Sequence, residues 1–172
     1  DVYAAMGIHP NDANHADAGA YDALRGLATH PRVVAIGEIG LDYYWDAAPR
    51  EVQREVFERQ LDLAQDVGKP IIIHCRDKAQ SYAAYDDVLA ILFARDELRG
   101  RVLLHAYAGS FAQAEAAISR NYILGFGGPI SYPKSENTRE IAAWAPEPNF
   151  VLETDAPYLP PQKLRGKRNE PG

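Results

Sequence analysis

The chain has 172 residues and a mass of 19.0 kDa, with 47% hydrophobic and 24% charged residues and a mean hydropathy of −0.34. That balance describes one folded domain and excludes a disordered segment. The net charge of −6 excludes a surface coated in positive charge for nucleic acid, although the last twelve residues carry +3 and the remainder −9. An acidic body still accepts a phosphate substrate where bound cations lie between the two.

Short apolar runs that do not alternate with polar residues predict strands buried on both faces at 3–8, 33–36, 70–73, 102–104, 122–126 and 150–152. Helical patterns fill the gaps, at 20–29, 49–67, 82–95, 111–120 and 136–144. The second is the clearest. Val52, Val56, Phe57, Leu61 and Ala64 share one face, Pro49 suits the first turn, Gly68 a C-terminal cap, and Pro70 forbids continuation. The Pro-rich end from Pro157 onward reads as an extended loop. Strict alternation predicts right-handed βαβ units around a parallel sheet. No Gly-x-Gly-x-x-Gly or Walker-type loop follows the first strand, which weighs against an open nucleotide-binding sheet. A closed eight-stranded barrel needs roughly 80 more residues. No apolar run approaches the roughly 18 residues of a membrane-spanning helix. No signal peptide is visible, and the single cysteine, Cys75, fits a reducing compartment, so the expected location is cytoplasmic.

The informative pattern is where the apolar runs stop. Five of the six end in His9, Glu38, His74, His105 and Glu153-Thr154-Asp155. In a parallel barrel the C-terminal strand ends meet at one mouth, so these residues converge. Glu38, His74, His105 and Asp155, with His9 nearby, form a mixed nitrogen and oxygen set suited to Zn²⁺, Mn²⁺ or a similar divalent ion. A carboxylate not used in coordination can serve as general base. Any one of these histidines could equally hydrogen-bond a loop carbonyl, and either carboxylate could cap a helix; several at equivalent strand ends favour the metal reading. Arg76 could hold a phosphate or an ion pair, and Tyr43, Tyr44 and Trp45 could stack on nucleobases or pack their loop. His15 and His30 read as surface residues, and Cys75 as structural.

Five stretches resemble the TatD family of metal-dependent deoxyribonucleases: Gly7-Ile8-His9-Pro10, the run from Ala35 to Tyr43, Pro70 to Asp77, Glu153 to Leu159, and Arg165 to Pro171. They occur in the family's order and span nearly the whole chain. The resemblance implies a TIM-type (β/α)8 barrel, incomplete here and comprising strands three to eight, with residues 1–172 as a single partial domain. It implies two divalent metals (Mg, Mn or Zn) per complete domain. Glu38 would bridge them, His74 and His105 would bind one, and Asp155 would bind the other and handle the water proton. His9, Arg76 and Glu153 would be substrate-side or supporting groups. Where the family reads His-Cys-Phe, this chain has His105-Ala106-Tyr107. It also lacks the His-x-His of the family's first strand, and Asp1 is not Met; an internal fragment or truncated product is expected.

The implied activity is hydrolysis of DNA phosphodiester bonds by a 3′-to-5′ exodeoxyribonuclease, with single-stranded DNA or 3′ ends as substrate and no membrane or protein partner. The rivals are a small-molecule amidohydrolase on the same scaffold, because one fold hosts many chemistries, and an inactive remnant with an incomplete metal site.

Overall fold

The computed structural model describes residues 2–171. Six parallel strands pair in chain order: β1 (Ala4–Met6), β2 (Val33–Asp42), β3 (Ile71–Arg76), β4 (Val102–Leu104), β5 (Ile123–Phe126) and β6 (Phe150–Leu152). Helices α1 (Ala18–Ala28), α2 (Arg50–Asp66), α3 (Ala83–Phe93), α4 (Phe111–Ser119) and α5 (Glu136–Trp144) make the crossovers. The alternation predicts this α/β arrangement of six parallel strands, and its TIM-barrel-like form is the one the resemblance implies. Among the described residues β1 and β6 each pair on one side only. Both edges are apolar and open, with Val2 77%, Tyr3 60% and Leu152 81% exposed.

The core lies between the sheet and its helices. Ile36, Ile39, Leu41, Ile71, Ile73, Leu104 and Leu124 pack from the strands against Phe57, Leu61, Val88 and Leu92 from α2 and α3. Burying each such side chain stabilises by about 1.5–3 kcal/mol relative to leaving it in water.

Two features differ from the sequence expectation, and both shape the mouth. First, β2 runs ten residues to Asp42 and does not stop before Glu38. Its ladder with β3 shifts register between Ile36 and Ile39 and then resumes, pairing Gly40 with His74 and Asp42 with Arg76. Such an irregularity re-aims a side chain, and here it turns Glu38 into the mouth from inside a strand. Gly40 sits at φ 138°, and a Cβ there would meet the His74 carbonyl oxygen at 2.1 Å; only glycine lets the two strands approach so closely.

Second, α2 is not apolar across its inner face. Gln53 and Gln60, seven residues apart, are buried there with Phe57 and Leu61. Gln60 accepts from the Ile8 N–H at 2.6 Å and donates to the Ile8 carbonyl at 3.0 Å. Gln53 accepts from the Asp42 N–H at 2.8 Å and donates to the carbonyls of Asp42 and Ala48. One helix thereby ties down the chain beside His9 and the end of β2.

Candidate metal centre

His9, Glu38, His74, His105 and Asp155 all line one cleft of about 1060 Å³ at the C-terminal ends of the strands. Two groups have ligand atoms close enough to hold one ion each: His9, Glu38 and His74, and Glu38, His105 and Asp155. Glu38 is common to both. Its carboxylate lies 3.4 Å from His74 Nδ1 and 3.8 Å from His105 Nε2. The geometry thus separates His74 and His105 into different groups and draws His9 toward the first, a different partition from the one the resemblance implies.

Each half-buried imidazole is gripped by carboxylates from both sides. His74 presents Nδ1 to Glu38, while Nε2 lies 3.1 Å from Asp42 Oδ2. His105 presents Nε2 to Asp155 at 3.2 Å, while Nδ1 lies 2.9 Å from Glu153 Oε1. A carboxylate behind a ligating imidazole fixes its tautomer and raises its basicity. Asp42 is fully buried, and its Oδ1 also accepts the N–H groups of Tyr44 and Trp45, both at 2.9 Å. Sequence reasoning missed Asp42 because it took the strand to stop at Ile36, six residues before the observed end. The signal was Asp42 standing two residues ahead of an exposed aromatic pair.

Glu153 also accepts the Ala106 N–H at 2.6 Å, and Gly125 makes room for it, since a Cβ there would lie 2.5 Å from Glu153 Oε2. Asp155 adopts φ 55°, a left-handed conformation that Asp tolerates better than most residues. The loop beyond it is tied by buried Asn169, which donates to the carbonyls of Thr154 and Tyr158 and whose own N–H reaches the Pro157 carbonyl at 3.0 Å. That is the structural sense of the Arg165–Pro171 stretch.

His9 differs from the other two. Its Nδ1 accepts the Asn11 N–H at 3.2 Å. Burial, then the neighbouring His74, lowers its pKa, so the ring is neutral at pH 7. A neutral ring with Nδ1 accepting carries its proton on Nε2 and offers a donor. His9 therefore suits a substrate oxygen better than an ion, despite its place in the first group. Arg76 stands at the cleft wall, His15 and His30 are exposed away from the cleft, and Cys75 is buried and unpaired, with burial pushing its thiol well up.

The charge balance prepares the metal-free site for cations. A hydrogen bond from His74 is the main influence holding Glu38 below the usual carboxylate range, against the cost of burial. Burial would lower both imidazoles, but the carboxylates outweigh it: Asp42 and Glu38 raise His74, and Asp155 and Glu153 raise His105 to about 10. The ion pairs of His105 accordingly stabilise the metal-free chain fully below pH 6.5 and lose that contribution as pH rises toward about 10. Ligation requires neutral imidazole. Loading Zn²⁺ at pH 6 is therefore expected to release protons, one each from His74 and His105, measurable in weakly buffered solution. Loading without proton release would show that neither imidazole is a ligand.

The family description "TatD related DNase" matches residues 1–172. The chain belongs to the TatD family of metal-dependent hydrolases. It is 40% identical to the uncharacterized metal-dependent hydrolase YabD of Bacillus subtilis over 99% of this chain and 64% of YabD. It is 34% identical to the 3′-5′ ssDNA/RNA exonuclease TatD of Salmonella typhimurium, over 98% of this chain and 65% of that protein. The crystal structure of YjjV, a TatD homolog from Escherichia coli K12, superposes with a TM-score of 0.88 at 33% identity, covering 98% of this chain and 63% of YjjV. The chain thus spans a little under two thirds of the length of these TatD relatives.

Proposed function

We propose that residues 1–172 supply, as a single partial barrel domain, the substrate cleft and most of the metal centre of a cytoplasmic DNA phosphodiesterase working 3′ to 5′ on single-stranded ends. The observation that carries this reading is Glu38 shared by two ligand groups at the strand ends, with imidazoles already held by carboxylates. That donor set fits two divalent ions, Mg²⁺, Mn²⁺ or Zn²⁺. Such ions would supply Lewis-acid stabilisation of the charge developing on a phosphoryl oxygen and would acidify water.

The chain's own residues have distinct tasks. Glu38, common to both ligand groups, would help hold either ion and offset part of its charge. Glu153 and Asp42 hold the imidazoles in the ligating tautomer. Asp155, at the end of the β6 loop and facing the cleft, accepts the proton of the attacking water. His9 donates Nε2–H to a substrate oxygen, and Arg76 meets a phosphate at the wall. The Salmonella relative's name, an exonuclease on ssDNA and RNA, supports a nucleic-acid substrate. Among the described residues no helix is long and apolar enough to cross a membrane.

The test is nuclease activity of the domain completed at both ends on a single-stranded oligonucleotide. It is expected to vanish in chelator and return with Mg²⁺, Mn²⁺ or Zn²⁺. Activity that persists in excess chelator would overturn the reading.

A further inference from the structure

We propose that Tyr44, Trp45 and Arg76 form a nucleotide subsite at the lip of the cleft. Trp45 stacks on an unpaired base, and the Arg76 guanidinium, seated on Tyr44, takes the adjoining phosphate. This rests on the phosphodiesterase reading and names the feature of the substrate the cleft selects.

Three observations carry it. Trp45 is 61% exposed and Tyr44 42%, although both follow directly from a buried strand. Their rings meet edge to face with centroids 5.0 Å apart, and the turn that presents them is fixed by Asp42, the carboxylate that also faces His74. The aromatic faces are thus rigidly placed yet left to solvent, as a stacking platform requires.

Second, the Arg76 guanidinium lies 4.3 Å from the Tyr44 ring centroid and 5.8 Å from that of Trp45. The cations around it are spent on carboxylates: Arg50 and Lys78 on Asp46, and Arg54 on Asp87. Arg76 makes no ion pair among the described residues and lies exposed. A guanidinium held flat by an aromatic ring keeps its N–H edge free for a phosphate.

Third, the position is right. Arg76 pairs with Asp42 across β2 and β3 and stands two residues from His74. Trp45, Arg76, Glu38 and His105 all line the same cleft. A base inside a duplex has both faces covered by its neighbours, so a stacking platform here favours single strands.

The chain has two tryptophans. Trp144 lies on α5 against Phe111, outside the cleft lining, so Trp144→Phe leaves Trp45 as sole reporter. With Mg²⁺ present, a phosphorothioate-linked single-stranded oligonucleotide is expected to quench Trp45 emission. An abasic oligomer of equal charge is expected not to. On cleavable single-stranded DNA, Trp45→Ala should raise KM about tenfold, the scale of one lost base stack, with kcat little changed. Trp45→Phe should recover most of the loss. Arg76→Gln should raise KM alike for normal and abasic strands.

Absent quenching and an unchanged KM in Trp45→Ala, with cleavage intact, would overturn the subsite and leave the phosphodiesterase reading standing. Equal quenching by the abasic oligomer would overturn base stacking. Base-dependent quenching without any metal-dependent cleavage would keep the subsite and overturn the hydrolytic reading. Neither quenching nor cleavage would overturn both.

Discussion

If the proposed phosphodiesterase reading holds, replacing Glu38 by Gln is expected to lower that activity by about two to three decades and to weaken metal loading, while the fold persists. Glu38 is the one side chain shared by both ligand groups. It lies between His74 at 3.4 Å and His105 at 3.8 Å. The amide keeps the size but removes the negative charge and turns one acceptor into a donor. The donor would face groups that need an acceptor. Loss of a key electrostatic group in an active site costs about 10²–10³ in rate, about 3–4 kcal/mol. His15→Ala and His30→Ala serve as controls, since both residues are exposed away from the cleft. The measurement pairs kcat with metal content per chain. Wild-type activity in Glu38→Gln would remove this residue from the centre.

The second large effect is expected one layer further out. Glu153→Gln should weaken metal affinity by about 10–100-fold, the usual consequence of altering the carboxylate behind a ligating imidazole. Glu153 Oε1 takes both His105 Nδ1 and the Ala106 N–H. Glutamine with its oxygen at the Oε1 position can still accept both bonds, so folding should survive, but the charge that helps raise His105 to about 10 is gone. Glu153→Ala goes further, stranding the Ala106 N–H and a ring nitrogen in a partly buried site. An unsatisfied buried group costs about 1–3 kcal/mol, which would appear as a lower midpoint in urea. Titration with Zn²⁺ gives the affinity directly. Unaltered binding in Glu153→Gln would detach this residue from the centre.

The gathering of His9, Glu38, His74, His105 and Asp155 was legible in the sequence because five of the six apolar runs stop at an ionisable residue, and parallel strands bring such stops together. The strands at 102–104 and 150–152 and the helix at 136–144 match the observed elements residue for residue. What was not legible came from polar residues doing interior work. Gln53 and Gln60 share the face of Phe57 and Ala64 at i, i+4, i+7 spacing, but being polar they drop out of a stripe read from apolar residues alone. Their real partners are backbone groups of other segments, which no local pattern encodes. Asp42 was hidden for a related reason. Ile39-Gly40-Leu41 prolongs the strand past an internal carboxylate, and the register shift that accommodates Glu38 depends on pairing with β3. Asn169 was visible only as part of a resemblance, and its three hydrogen bonds to the Asp155 loop give that resemblance a cause.

The two glutamines of α2 also limit how this helix can change length. They serve two separate strand ends from one face, and they can do so only while seven residues, close to two full turns, separate them. One residue inserted between them would rotate the second by about 100° around the axis. Either the Ile8 backbone or the Asp42 backbone would then lose its partner, and the His9 side of the mouth would come out of step with the His74 side. Neither α4 nor α5 bridges two strand ends in this way, so an added or deleted residue there shifts a single junction. Length variation in proteins built on this plan should therefore collect in the later crossovers and in the loops, and spare the stretch from Gln53 to Gln60.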